Sequence, residues 1–264
     1  MSEPDSQAVD PEEPDEHSHV LGGLVAEEMG EDISESLRRV RRAEEARYRA
    51  AHPDEGLRER KRRLTRQLIS DAATVMFVSR GFDAVKVSEV ADRVNVSMKT
   101  LYNYFPTKES MVLDQADELI EELARALRDR PAGMSITDAV VGAIEASMDG
   151  FDLLEDEQAA FVPKFEVMVK RTPALRAHWL EILDRLARVA AEQLASQAGV
   201  APSDPEPTVA GRALVGLVQV DSDSRVRHIA AGLRGAELRA AVIRDVRQAA
   251  RLLENGLASL GGGV

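Results

Sequence analysis

The run from Val87 to Phe105, Val-Ser-Glu-Val-Ala-Asp-Arg-Val-Asn-Val-Ser-Met-Lys-Thr-Leu-Tyr-Asn-Tyr-Phe, constrains this chain more tightly than any other stretch. Val87, Val90, Ala91 and Val94 fall at three- and four-residue steps, which puts apolar side chains on one face of a short helix. Asn95 follows, and Asn tolerates the left-handed conformation in which a helix ends and the chain turns. Ser97 stands where its hydroxyl can cap a second short helix whose Leu101 and Phe105 point inward. Two short helices joined by a tight turn make a helix-turn-helix. The second helix leaves Met98, Lys99, Thr100, Tyr102, Asn103 and Tyr104 for its outer surface, a polar and aromatic set on an element with little room for core. Such a face is built for contact, and we read it as a DNA recognition helix. Lys99, Thr100, Tyr102 and Asn103 are the candidates for base edges, with Met98 beside them. Ser97, Tyr104, Lys108 and Lys86 are the candidates for phosphate.

A wider set of residues carries a family likeness. Asp71-Ala72-Ala73, Phe77, Arg80-Gly81-Phe82, Val87 to Ala91, Val96-Ser97, Leu101-Tyr102, Tyr104-Phe105-Pro106 and Lys108-Glu109 stand in one order and spacing. Through them the stretch from about Arg66 to Lys108 resembles the DNA-binding domain of the TetR (tetracycline repressor) family. Two positions depart from the pattern: Lys86 sits where a Thr commonly starts the second helix, and Asn95 replaces the usual Gly of the turn. The resemblance implies an all-α protein with an N-terminal three-helix helix-turn-helix domain joined to a larger helical ligand-binding and dimerisation domain. It further implies a homodimer on a palindromic operator of double-stranded DNA, acting as a repressor released by a small ligand. The stretches around Arg171 to Arg176 and Pro202 to Pro207 look faintly like an actinobacterial branch of the family that includes the mycofactocin regulator and sensors of acyl thioesters. That likeness implies an apolar ligand, with acyl compounds as one class.

A net charge of −12 looks wrong for a DNA binder until it is divided along the chain. Residues 1–35 carry twelve Asp or Glu and no Lys or Arg, whereas residues 57–106 carry ten Lys or Arg against five Asp or Glu. A local basic field, not the total, attracts phosphate. The cations crowd the start of a helix expected from Leu57 to about Ser79, where Arg62 and Arg66 are further candidates for phosphate contact.

Three segments follow from composition: an acidic extension over 1–56, a DNA-binding domain over 57–106 and a helical regulatory and dimerisation domain over 107–264. Within the first, Pro, Ser and acidic residues dominate 1–19, where disorder is expected, and an Arg-rich helix is expected near 34–51. In the third, Thr107 can cap a helix running to Arg130, with Lys108 in its first turn where a phosphate could sit. Further helices are expected over about 135–152, 157–171, 174–198, 206–231 and 236–258, and no strand pattern interrupts them.

Catalysis finds no support in the residues. The chain has no Cys, no nucleophile elbow, no phosphate-binding Gly loop and no paired His at metal spacing. Asp221 and Asp223 near His228 could imitate a metal cluster but read as solvated surface, so neither metal nor cofactor is expected, and the chain is not read as an enzyme. With no Cys and no run approaching a membrane span, a cytoplasmic protein without membrane association is expected. Met148, Phe151, Phe161, Phe165, Met168 and Trp179 hold much of the aromatic and Met content of residues 135–180. Core packing explains any one of them, while their concentration suits a concave apolar ligand site between helices. Two other readings stay open: a DNA-binding regulator controlled by a protein partner or by its N-terminal tail, and a ligand-binding protein or enzyme with a relic helix-turn-helix.

Overall fold

Apolar residues at three- and four-residue spacing run through the body of the chain, and the fold they produce is helical. The computed structural model describes residues 56–148 and 161–255. Among them are nine α-helices and no strand: α1 (Leu57–Arg80), α2 (Val87–Arg93), α3 (Met98–Tyr104), α4 (Ala116–Arg128), α5 (Ile136–Ser147), α6 (Phe161–Arg171), α7 (Pro173–Ala198), α8 (Pro205–Ala230) and α9 (Gly235–Asn255). No helix among the described residues is long and apolar enough to cross a membrane. The Arg-rich helix expected near 34–51, and Phe151, lie outside the described residues.

The first three helices close on one apolar core. Ile69, Ala73 and Phe77 of α1 are fully buried, packed with Val90 and Ala91 of α2 and with Leu101 and Phe105. Gly81 takes φ +94° at the end of α1, and Phe82 returns to meet Phe77 edge-on with ring centres 5.1 Å apart. The turn after α2 is a Schellman motif. Val96 N–H donates to Ala91 O at 3.0 Å and Asn95 N–H to Asp92 O at 3.2 Å, with Asn95 at φ +52°. Asn stands where Gly is usual because its short side chain suffers least among L-residues from the left-handed conformation.

The chain then departs from its expected path. The apolar series from Met111 onward predicts one helix from Thr107 to Arg130, but α4 begins only at Ala116. In between, Glu109–Met111 form a single 3-10 turn. Thr107 caps this turn and no longer helix: Ser110 N–H donates to its Oγ1 at 3.2 Å, and Ser110 Oγ donates to its carbonyl at 2.8 Å. The reason is tertiary. Met111 and Val112 are buried in the core of the first three helices, and Ser70 Oγ of α1 donates to Met111 O at 2.9 Å. Met111 and Val112 therefore pack with the first three helices before α4 enters a second core.

That second core gathers Leu127, Val140, Met148, Leu186, Leu217, Val242 and Val246 from α4, α5, α7, α8 and α9. The long pair α7 and α8 comes close at Gly211, where a Cβ would lie 2.4 Å from Ala187 O and 2.9 Å from Ala191 N. Gly199, left-handed at φ +69°, ends α7, and Pro205 opens α8. Arg247 of α9 reaches Glu145 of α5 at 2.5 Å, so the last helix is tied to the second domain by charge as well as by packing.

The two cores are joined. Val169 of α6 and Leu175 of α7 are buried within the helix-turn-helix core, and Phe165 and Met168 pack against it. Trp179 touches both cores. A seam of α6 and the start of α7 thus joins the second core to α1 and the 3-10 turn.

Candidate nucleic-acid interface

The recognition face begins with a cap. Ser97 Oγ accepts the Thr100 N–H at 3.0 Å and lies 2.8 Å from Thr100 Oγ1, which sets the start and direction of α3. Leu101 is the one fully buried residue of this seven-residue helix. Met98, Lys99, Tyr102 and Asn103 are exposed, and Thr100 and Tyr104 are half-buried. Tyr102 leaves 47% of its surface open and Met98 38%, high values for large apolar groups. Of the expected base-reading set, all four residues therefore sit on α3, with Thr100 partly engaged by the cap.

Lys86 occupies the position before α2 and is exposed. Its N–H donates to Glu89 Oε1 at 2.8 Å, while Arg80 holds Glu89 Oε2 at 2.5 Å. Hydrogen bonds from the Lys86 backbone and the Arg80 side chain hold the Glu89 carboxyl below its ordinary range. The Lys86 side chain itself is exposed beside this carboxylate.

Two expected phosphate contacts are spent on the fold instead. Arg66 lies on the buried side of α1: one guanidinium nitrogen donates to Tyr104 O at 2.7 Å, and its carbon stands 4.3 Å from the centre of the Phe105 ring. It fastens the end of the recognition helix to α1. The sequence carried a signal for this, since Arg66, Ile69 and Ala73 share one helical row. Lys108 is likewise turned inward. Its ammonium donates to Phe82 O and, at 2.6 Å, to Val85 O, and it sits 4.4 Å above the Phe82 ring and 5.0 Å from Phe77. Burial pushes its pKa down against the pull of Asp83, Glu109 and Glu89. Only a single 3-10 turn follows Lys108, and the Thr107 and Ser110 amides beside it donate to each other's hydroxyls, so the α-helix start expected there is not formed; nothing in the local sequence marked the lysine as inward. Arg62, one turn before Arg66, is exposed, as are Arg58 and Lys61.

The residues expected to line a ligand site do not come together as one. Met148 is fully buried in the second core, Phe165, Met168 and Trp179 form the seam, and Phe161 stacks on Phe165 with ring centres 6.4 Å apart. A separate open groove of about 420 Å³ lies between α4 and α5. Ala126, Met134, Ala139 and Ala143 line it with the charged Glu122, Arg125, Asp129 and Arg130, and none of the expected pocket residues is among its walls. The Asp and His residues near the end of α8 take separate partners. Asp221 pairs with Arg225 at 2.8 Å, Asp223 with Lys170 at 2.8 Å and His228 with Asp245 at 2.7 Å.

Comparison with known proteins adds to this geometry. A model of bacterial regulatory proteins of the tetR family matches residues 69–114, and a model of the MftR C-terminal domain matches residues 134–260. The HTH-type transcriptional regulator TcmR of Streptomyces glaucescens is 34% identical over 144 residues, 52% of this chain and 63% of TcmR. MftR of Mycobacterium tuberculosis, to which regulation of mycofactocin biosynthesis is provisionally ascribed, is 23% identical over 62% of this chain and 81% of its own length. The HTH-type transcriptional repressor KstR2 of Rhodococcus jostii is 26% identical over 43% of this chain and 61% of its own. The chain thus spans less than two thirds of TcmR and of KstR2.

Proposed function

Because the chain belongs to the TetR family of bacterial regulatory proteins, we propose that it is a DNA-binding transcriptional repressor acting as a homodimer on a palindromic operator. The observation that carries this reading is α3. A seven-residue helix with one buried side chain exposes Met98, Lys99, Tyr102 and Asn103, flanked by the exposed Lys86 and Arg62. Side chains of this kind divide the work of recognition: the cations hold phosphate and set register, and the α3 face reads base edges in the major groove. A two-fold dimer places its recognition helices about 34–36 Å apart, one turn of duplex, so both half-sites are engaged only at one separation.

The signal that releases the operator, in this reading, is a small apolar compound, with acyl compounds the first class to test. Its seat is the alanine-lined groove between α4 and α5, since the aromatic cluster is occupied by the seam. A ligand there would press on α4, the helix that leads back to the 3-10 turn and the recognition domain. The test of the whole reading is binding of labelled duplexes tiled across the DNA flanking its own gene, with sedimentation to give the oligomer. Tyr102→Ala should cost roughly 1–3 kcal/mol on the bound duplex and flatten the preference among base variants. Equal preference in Tyr102→Ala and the parent, or a monomer at micromolar concentration, would count against it.

A further inference from the structure

We propose that the acidic segment 1–35 docks on the basic face of this chain's own DNA-binding domain and competes there with nucleic-acid phosphate. The charge distribution leaves it one destination. Residues 1–35 carry a net charge of −12, while residues 36–55 hold six Arg against four Asp or Glu and can neutralise little of it. Residues 107–264 carry 18 Lys or Arg against 25 Asp or Glu, so the regulatory domain repels the segment. Only residues 57–106, with ten Lys or Arg against five Asp or Glu, attract it as a body.

The structure narrows that attraction to particular side chains. Arg66 and Lys108 are consumed by carbonyls and ring faces, and Arg80 by Glu89. Arg58, Lys61, Arg62, Lys86 and Lys99 remain exposed, and none of the five makes an ion pair among the described residues. Arg58, Lys61 and Arg62 stand in the first two turns of α1, and Arg62 lies one turn before Arg66, which donates to Tyr104 O at the end of α3. The described chain begins at Gly56, at this same end of α1.

The tether is sufficient. Residues 36–55 span at most about 70 Å when extended, against about 36 Å for the whole of α1. A segment tethered within reach of its target acts there at a raised effective concentration. Carboxylates and phosphates would use the same five cations, so the docked segment must leave before any duplex binds. The affinity for every duplex is then lowered by the same factor, and the factor shrinks as salt screens the docked state.

Docking and competition are tested separately, because the second alone rests on the DNA-binding reading. Zero-length carboxylate-to-amine cross-linking of the full chain, read by mass spectrometry, should join residues 1–35 to Lys61, Lys86 or Lys99 at low salt. Those cross-links should fade at high salt and be rare at Lys164 and Lys170 of the regulatory domain. Cross-links as frequent at Lys164 and Lys170, or none to the DNA-binding domain, overturn the proposal. For competition, the probe is a random-sequence duplex of about 30 base pairs, titrated with the full chain and with a variant beginning at Ser36. The truncated protein should bind at least about threefold more tightly at 50 mM salt, with the gap narrowing toward 200 mM. A length-preserving variant, Glu12→Gln, Glu13→Gln, Asp15→Asn and Glu16→Gln, should recover part of that gain. Unchanged affinity in both variants at both salts overturns the proposal. If neither protein binds any duplex, the DNA reading has failed, and the cross-link pattern alone decides whether the segment docks.

Discussion

Lys108 and Arg62 illustrate how two basic residues of one domain take opposite roles. Lys108 gives its ammonium to the carbonyls of Phe82 and Val85, so removing it strands two partly buried acceptors. We expect Lys108→Met, which keeps the aliphatic stem against the rings, to destabilise the domain by about 1–3 kcal/mol. The salt dependence of DNA affinity should stay that of the parent in this variant. Arg62→Ala is the counterpart: thermal stability should hold, while the slope of log affinity against log salt falls by about one. A salt slope altered by Lys108→Met and not by Arg62→Ala would reverse the assignment. Asn95 gives a third residue-scale outcome. At φ +52° it is compatible with Gly but not with a β-branched side chain, so Asn95→Gly should leave thermal stability near the parent's. Asn95→Val should cost roughly 1–3 kcal/mol by denaturant unfolding.

Between elements, the pairing of α8 with α9 is the contact most open to a pH test. Asp245 of α9 accepts from Arg227 at 2.6 Å and meets His228 at 2.7 Å, both near the end of α8. Burial alone would raise its pKa, but hydrogen bonds from His228, Arg227 and Ser224 outweigh it and hold the carboxyl below its ordinary value. A depressed folded-state pKa means that the unfolded chain takes up the proton first as acid is added. The stabilisation is therefore complete above the unfolded value, about pH 4, and is lost as pH falls through the folded value. Asp245→Asn should cost about 1–2 kcal/mol at neutral pH. The gap from the parent should close in acid, as measured by urea unfolding at stepped pH. A gap that persists unchanged at pH 2 to 3 would show that packing, and not the ionised carboxylate, ties the helices.

At the scale of the molecule, the two domains share side chains and not merely a linker. Leu175 belongs by sequence to the regulatory domain, yet it is fully buried in the core of the helix-turn-helix. Leu175→Ala should lose about 2–5 kcal/mol and loosen the seam, so that a single thermal transition in the parent becomes two, with the recognition domain melting first. Calorimetry would detect the split, and one unchanged transition would mean that the seam carries no coupling. The same sharing links the second core to the first three helices in two places. One link runs through α4 and the 3-10 turn, and the other through α6 against α1.

Most local features were legible in the sequence: the order of the helices and their approximate spans apart from the start of α4, the left-handed Asn95, the Ser97 cap and the outward face of α3. Each depends on residues within one or two turns of each other, and short-range sterics, capping and spacing decide them regardless of context. Other features depended on which elements meet. Arg66 and Lys108 have the composition of phosphate ligands and became struts because Tyr104 O, Phe82 O and Val85 O happen to face them. Met111 continues the apolar spacing of α4 but is drawn back to Ser70, which breaks one expected helix into a turn and a helix. Phe165 and Met168 look like pocket walls by type and are the seam by position. Gly211 gives no sign in sequence that two helix backbones approach at that point and leave no room for a Cβ. In every such case the deciding partner lies dozens of residues away, and only packing in three dimensions brings it within reach.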